Sequence, residues 1–109
     1  MHEVGLAEEI VAAVSRHAAG ARVHRVVVAI GKLALVMPEA LRFAFDLCCE
    51  GTPLEGACLE IIETPGRASC RQCGEMVVLE RPLGWCSCGS SDLEWISGEE
   101  LTIKAMEVT

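Results

Sequence analysis

The sequence has 109 residues, of which 51% are hydrophobic, and this length and composition suit one small folded domain rather than a disordered or collagen-like chain. Nine basic residues against sixteen acidic ones give a formal net charge of -7, which argues against nucleic acid as a partner. No apolar run is long enough to span a bilayer, which argues against a membrane partner. The N-terminus lacks the features of a secretion signal, so the expected location is cytoplasmic, where cysteines stay reduced.

The first 66 residues predict helices alternating with strands. Apolar residues at helical spacing and valine-rich runs predict, in chain order, a helix over Val4–Ala19 that ends at Gly20, a mostly buried strand over Arg22–Ile30, a helix from Pro38 to about Glu50, and a strand over Cys58–Thr64. The apolar stripe expected on the second helix comprises Leu41, Ala44, Phe45 and Cys48.

The chain changes character between Arg67 and Leu93. Apolar periodicity fades, three basic residues balance three acidic ones, and four cysteines occur. A segment this short cannot bury a useful core without a metal, disulfides or a partner. After it, Leu93–Ile96 and Leu101–Val108 predict two strands about a turn that contains Gly98. The expected fold is therefore α+β: a two-helix, three-stranded-sheet domain (1–66 plus 94–109) with a zinc-ribbon-like insert (67–93).

The cysteines of the insert form two closely spaced pairs. Cys70-Arg71-Gln72-Cys73-Gly74 is a CxxC knuckle, and Cys86-Ser87-Cys88-Gly89 is a shorter CxC pair. Four thiolates at this separation can hold one tetrahedral zinc in a closed, structural site. The alternative interpretations are unligated thiols or a redox dithiol. The other three cysteines, Cys48, Cys49 and Cys58, are expected to pack as small hydrophobic side chains.

The first residues offer a second kind of metal site. Because His2 follows Met1, a free α-amine, the His2 amide nitrogen and the His2 imidazole lie within chelate reach of one another. These nitrogens suit square-planar Ni(II) or Cu(II), and Glu3 adds an amide and a carboxylate. A solvated, mobile histidine is the alternative at this position. His17 and His24 have no partner pattern and are expected at the surface or in satisfied positions.

Taken in order, the motifs resemble the HypA/HybF family of hydrogenase nickel-incorporation proteins over nearly the whole chain. The resemblance rests on Met1-His2-Glu3 with Leu6-Ala7, Ala29-Ile30-Gly31-Lys32-Leu33, Pro38-Glu39-Ala40-Leu41-Arg42-Phe43-Ala44-Phe45, Gly51-Thr52-Pro53, Leu59-Glu60-Ile61, Pro65-Gly66-Arg67-Ala68, the cysteine pairs with Cys88-Gly89-Ser90, and Leu101-Thr102-Ile103-Lys104.

This resemblance implies a small nickel metallochaperone with a structural zinc site. It assigns nickel to Met1, His2 and Glu3, with the His2 imidazole as the indispensable ligand, and zinc to Cys70, Cys73, Cys86 and Cys88. The family usually has CxxC in its second knuckle, so Cys58 or a water is an alternative fourth zinc ligand. The implied partners are a nickel-binding maturation GTPase and the [NiFe]-hydrogenase large subunit, with urease maturation proteins and a second copy of the chain as further candidates.

Three functions therefore compete at this point. The first is a cytoplasmic nickel metallochaperone for hydrogenase maturation that is not an enzyme. The second is a zinc-ribbon protein-interaction module without a nickel role. The third is a thiol oxidoreductase built on Cys70 and Cys73, which would need an exposed thiolate of low pKa.

Overall fold

A computed structural model describes residues 2–109, so the predicted nickel ligand Met1 lies outside the described part of the chain. The helices and strands follow in the order α1 (His2–Ala18), β1 (Val23–Gly31), a short 3-10 turn (Lys32–Ala34), α2 (Pro38–Cys49), β2 (Cys58–Thr64), β3 (Gly66–Cys70), β4 (Met76–Leu79), β5 (Leu93–Ser97) and β6 (Leu101–Val108). Neither described helix is long and apolar enough to cross a membrane.

The strands form two sheets of three, with the orders β2-β1-β6 and β4-β3-β5, so the predicted α+β class is confirmed. The chain divides into two compact units. The helical unit comprises the chain up to Val28, Val36–Ile62 and Thr102–Thr109. The cysteine unit comprises Ala29–Leu35 and Glu63–Leu101, and the predicted insert at 67–93 lies wholly within it.

The helical unit is built on the apolar faces of α1 and α2, which pack against each other. Both helices begin and end within two residues of their predicted bounds, and β1 is mostly buried, as expected from its valines. The largest side chains of this core are fully buried and comprise Ile10, Val14, Val23, Val26, Val28, Leu41, Phe45 and Leu54. On the central strand, Arg25 forms ion pairs with Glu60 of β2 and Glu107 of β6, which links the three strands of that sheet.

The predicted packing of the three remaining cysteines is only partly right. Cys49 is buried, whereas Cys48 is half-buried, so the apolar stripe of α2 continues through Cys49 instead of Cys48. Cys58 is exposed, and the prediction that it packs in the core is wrong. Side chains alternate between the two faces of a strand, and β2 buries the next residue, Leu59.

The cysteine unit contains two strands that the sequence did not predict, β3 and β4. They pair antiparallel, with Gly66 opposite Leu79 and Ser69 opposite Met76. Strand β5 pairs antiparallel with the other edge of β3, with a register shift between Arg67 and Ala68. The buried cluster of this unit is small, and it consists of Leu33, Ala68 and Leu79 with Val77 and Leu93 packed against it.

The last two strands are present as predicted, but they belong to different sheets. Strand β5 joins the sheet of the cysteine unit, whereas β6 pairs with β1. The segment between them bonds to the end of β1: the Gly31 amide donates to the Glu100 carbonyl and the Leu33 amide donates to the Gly98 carbonyl, both at 2.9 Å. The Gly98 turn therefore passes the chain from one sheet to the other.

Candidate metal sites

The first knuckle is a tight turn at the end of β3. The amide of Gly74 donates to the carbonyl of Cys70 at 2.8 Å, and the amide of Cys70 donates to the carbonyl of Glu75 at 2.9 Å. Gly74 has φ +81°, a conformation that favours glycine. The turn reverses the chain and places the sulfurs of Cys70 and Cys73 on the same side of it.

The second knuckle makes an equivalent turn with one residue fewer. The amide of Gly89 donates to the carbonyl of Cys86 at 2.9 Å, and Gly89 has φ +95°. The amide of Cys86 donates to the carbonyl of Ser90, also at 2.9 Å. Thus the closing bond spans three residues in the CxC pair and four in the CxxC pair, which is how the shorter spacing still brings two sulfurs to one point.

The two knuckles face each other and bring four sulfurs together. All four Sγ atoms lie within 4.8 Å of one another, with 3.7 Å between Cys70 and Cys88 and 3.4 Å between Cys73 and Cys86. A tetrahedral zinc with Zn–S bonds of about 2.3 Å requires sulfurs about 3.8 Å apart. The cluster therefore fits a structural zinc site, and its four sulfurs all come from the two motifs without Cys58 or a water.

The electrostatics of the cluster favour deprotonation of one cysteine, Cys70, before the others. Backbone N–H groups of Cys73 and Gln72, together with neighbouring thiols, lower the pKa of Cys70 to about 6, so its thiolate forms near neutral pH. At Cys73 the backbone N–H of Glu75 acts in the same direction, but hydrogen bonds among the thiols and burial outweigh it and raise the pKa to about 12. A bound divalent cation stabilises several thiolates at once, so that one thiolate no longer forms at the expense of the others.

An ion pair beside the first knuckle was not predicted from the sequence. The Arg71 side chain lies 3.2 Å from Asp92 (Nε to Oδ1), and the Arg71 amide donates to the Asp92 carbonyl at 3.0 Å. The Asp92 amide in turn donates to the Ser90 hydroxyl. These contacts connect the chain that follows the second knuckle to the first knuckle. Their only signal in the sequence is the equal number of basic and acidic residues between Arg67 and Leu93.

The predicted nickel ligands His2 and Glu3 lie in the first turn of α1. The His2 side chain is 55% exposed, with its Nε2 atom 3.9 Å from Glu3 Oε2. The helix begins at His2, and amides of a first helical turn have no acceptor earlier in their own helix. The exposed imidazole and the first-turn amide nitrogen of His2 can therefore both bind a metal ion that approaches from solvent.

The Glu3 carboxylate has a second role that the sequence did not indicate. Glu3 is buried, and its Oε2 atom accepts a hydrogen bond of 3.1 Å from the amide of Met37, the residue that precedes α2. This hydrogen bond is the main reason why the pKa of Glu3 lies below its ordinary value of 4.5. The carboxylate thus caps the N-terminus of α2, where a negative charge also interacts favourably with the helix dipole.

Replacing Glu3 by alanine is expected to lower the thermal unfolding midpoint at neutral pH, and to lower it less in acid. Because the pKa of Glu3 is depressed in the folded protein, the stabilisation from its charge is present above 4.5 and is lost as the pH falls through that depressed value. Melting curves followed by circular dichroism at about pH 7 and about pH 3 measure the difference.

Two variants control for this effect. Glu3→Gln keeps an acceptor oxygen for Met37 without the charge and should fall between wild type and Glu3→Ala. Glu8→Ala removes an exposed carboxylate from the same helix and should leave the midpoint unchanged. An equal loss at both pH values in Glu3→Ala would contradict the role of the charge.

The other two histidines are exposed, as predicted. His17 Nδ1 lies 2.9 Å from the carbonyl of Ala13 in its own helix, and His24 Nε2 lies 3.0 Å from the Thr109 hydroxyl. Among the described residues, the one group of three or more potential metal ligands that converge is the four-cysteine cluster.

Sequence comparison extends these observations to the whole chain. A family model described as "Hydrogenase/urease nickel incorporation, metallochaperone, hypA" matches residues 1–108. A protein named hydrogenase maturation factor HypA from Trichormus variabilis is 56% identical over 108 residues, which cover 99% of this chain and 96% of the relative. A protein of the same name from Acidithiobacillus ferrooxidans is 46% identical over 112 residues, with 99% of both chains covered.

Structure comparison agrees on the fold. The solution structure of the Ni metallochaperone HypA from Helicobacter pylori superposes with a TM-score of 0.69, at 23% identity, over 97% of this chain and 96% of that one. The fold with two helices and two small sheets is therefore shared with that structure. With the family model matching almost every residue, the chain belongs to the HypA family of hydrogenase/urease nickel-incorporation metallochaperones.

Proposed function

We propose that this chain binds Ni(II) at its N-terminus and delivers it for maturation of [NiFe]-hydrogenase, while the cysteine unit holds a structural zinc. The observation that carries the proposal is the match of the nickel-incorporation family model to residues 1–108. The separation of the candidate sites supports it, because His2 and Glu3 belong to the helical unit and the four cysteines to the other. We assign the nickel role to 1–66 plus 94–109 and the zinc role to 67–93, with 29–35, 63–66 and 94–101 of the first set packing in the cysteine unit.

In this proposal nickel is the cargo, bound by His2, Met1 and Glu3. Nitrogen ligands bind a metal only in their unprotonated form, so binding of this kind weakens as the pH falls. Exposure of the His2 side chain leaves room for a partner to replace one ligand at a time. Transfer of this kind changes no covalent bond of a substrate, and the chain therefore acts as a carrier instead of an enzyme.

The zinc, in contrast, is proposed to stay in place. Cys70, Cys73, Cys86 and Cys88 would supply a closed four-thiolate shell, in which zinc stabilises the fold and has no open position for a reactant. A thiolate shell requires reduced cysteines, which supports a cytoplasmic location.

The partners that nickel delivery requires are a nickel-binding maturation GTPase and the [NiFe]-hydrogenase large subunit, with urease maturation proteins and a second copy of the chain as further candidates.

The nickel proposal is tested by titrating untagged, zinc-loaded protein with Ni(II) and comparing wild type with His2→Ala. Loss of the imidazole should weaken binding by about 100-fold or more, since it removes a direct ligand. His24→Ala, which removes an exposed histidine from β1, should bind nickel like wild type. A Gly-Ser extension before Met1 should also weaken binding, because it displaces the α-amine from the chelate.

The same titration separates the competing functions. Stoichiometric zinc without measurable nickel binding would favour the zinc-ribbon interaction module. Unchanged nickel affinity and stoichiometry in His2→Ala would overturn the assignment of His2. Rapid alkylation of Cys70 and Cys73 in zinc-loaded protein would favour the thiol oxidoreductase.

A further inference from the structure

Helix α2 exposes large apolar side chains on the side away from its core. Phe43 is 68% exposed and Leu47 is 53% exposed, whereas Leu41 and Phe45 are completely buried. Positions two residues apart in a helix differ by about 200° around its axis, and positions four apart lie on the same side. Phe43 and Leu47, with the half-buried Ala40, therefore form one outward stripe.

Carboxylates line one side of this stripe. Helical geometry places Glu39, Asp46 and Glu50 along the adjacent edge of α2, and all three are exposed. Arg42 lies beyond them, with its guanidinium 2.6 Å from Glu39. Within the described residues, neither Asp46 nor Glu50 forms an ion pair with a cationic side chain, so the edge has a net negative charge.

The acidic edge borders a recess of about 630 Å³. Arg42, Asp46 and Glu50 line it from α2, Glu55 lines it from the following loop, and Cys58 and Leu59 line it from the start of β2. Three carboxylates there outnumber one guanidinium, so the recess has a net negative charge. The Glu55 carboxylate accepts a hydrogen bond of 3.0 Å from the Gly51 amide, which holds it in position. Together, this acidic recess and the outward stripe form an apolar strip beside a concave negative surface.

We propose that the outward stripe and the acidic recess together dock a positively charged amphipathic helix of a protein partner. Apolar side chains of that helix would cover Phe43 and Leu47, and a lysine or arginine would enter the recess opposite Asp46 and Glu50. Complementary charge and an apolar contact are the two elements by which helices are recognised on such surfaces.

The negative charge of the surface favours a cationic helix over two other occupants, a second copy of the chain and a membrane. A second copy of the chain would bring another acidic edge against the first, and the chain has a net charge of -7. A membrane with anionic lipids would be repelled in the same way. The proposed surface does not involve His2, so it does not rest on the nickel proposal.

The test measures binding of a fluorescently labelled leucine-lysine peptide of about 18 residues, designed as an amphipathic helix. We expect the wild-type protein to bind it and Phe43→Ser with Leu47→Ser to bind it about tenfold or more weakly in fluorescence anisotropy. Asp46→Lys with Glu50→Lys should cause a similar loss. Added salt should weaken wild-type binding but have less effect on the charge-reversed variant.

Matched controls distinguish peptide binding at this surface from non-specific binding to exposed apolar side chains or to negative charge elsewhere. Leu83→Ser removes a side chain that is 79% exposed in the cysteine unit, and Glu8→Lys with Glu9→Lys reverses two exposed charges on α1. Both should bind the peptide within about twofold of wild type. Every variant should bind nickel like wild type, which separates failure of this proposal from failure of the nickel site.

Three results would overturn the proposal. The first is no binding by wild type, or equal losses in variants and controls. The second is a wild-type dimer in sedimentation that Phe43→Ser dissociates, which would identify a second copy as the occupant. The third is binding to vesicles of phosphatidylcholine and phosphatidylserine that depends on Phe43, which would identify a membrane.

Discussion

Cys86→Ser is expected to lose zinc and to unfold the cysteine unit while the helices persist. The buried cluster of this unit has only Leu33, Ala68 and Leu79 at its centre, too few apolar side chains to fold a segment of this size. Structural zinc contributes on the order of 10 kcal/mol to the folding of small zinc domains, which is comparable with the whole stability of a typical domain. Chelation of zinc from the wild type should have the same consequence.

The distribution of chromophores allows each unit to be followed separately. The protein has two tryptophans, Trp85 and Trp95, and both belong to the cysteine unit. Both α-helices belong to the helical unit. Tryptophan emission should therefore change on zinc loss while most of the helical signal in circular dichroism remains.

Cys58→Ser is the matched control, because it replaces an exposed cysteine outside the cluster. It should retain one zinc per chain, measured by elemental analysis, with unchanged emission. Stoichiometric zinc and native emission in Cys86→Ser would show that the cluster does not hold the metal as proposed.

Gly31→Ala is expected to destabilise the protein by about 3 kcal/mol, near the upper end of the range for overpacked sites. A β-carbon at Gly31 would lie 1.8 Å from the carbonyl oxygen of Gly98, which is backbone and cannot rotate away. Separating the two segments would also weaken the bonds from Gly31 to Glu100 and from Leu33 to Gly98. The thermal midpoint should fall by roughly 10–20 °C for a loss of this size.

Gly5→Ala is the control for this substitution. An added β-carbon at Gly5 meets no other heavy atom within 4 Å, and Gly5 lies within α1. Alanine is favoured over glycine in a helix by about 0.5–1 kcal/mol, so Gly5→Ala should leave stability unchanged or raise it. Thermal unfolding followed by tryptophan emission for the cysteine unit and by circular dichroism for the helices compares the two variants. Similar midpoints for both variants would contradict the close approach at Gly31.

The parts of the fold that the sequence predicts are those with a local signal. The helices have three- and four-residue apolar spacing, and Pro38 begins α2 as expected. Both knuckles end in a glycine at positive φ, and the cysteine spacing alone indicated a common metal. Each of these signals lies within a few residues of the feature it specifies.

The features that were missed depend on residues distant in the chain. The capping contact joins Glu3 to Met37, and the ion pair at the knuckle joins Arg71 to Asp92. Strands β3 and β4 are only five and four residues long, and the cluster beneath them includes Leu33 from before α2. The face of β2 on which Cys58 lies was also mispredicted. Cys58 and Leu59 are adjacent apolar residues on opposite faces of the strand, and Leu59 takes the buried face.

The discontinuity of both units has a consequence for how this protein can vary. The cysteine unit takes Ala29–Leu35 from one part of the chain and Glu63–Leu101 from another, and the helical unit consists of three separate segments. Excision of the cysteine-rich stretch alone would leave behind Leu33, a member of its buried cluster. Neither unit is thus a contiguous cassette, so exchanging either one would require several segments of the chain to be replaced at once.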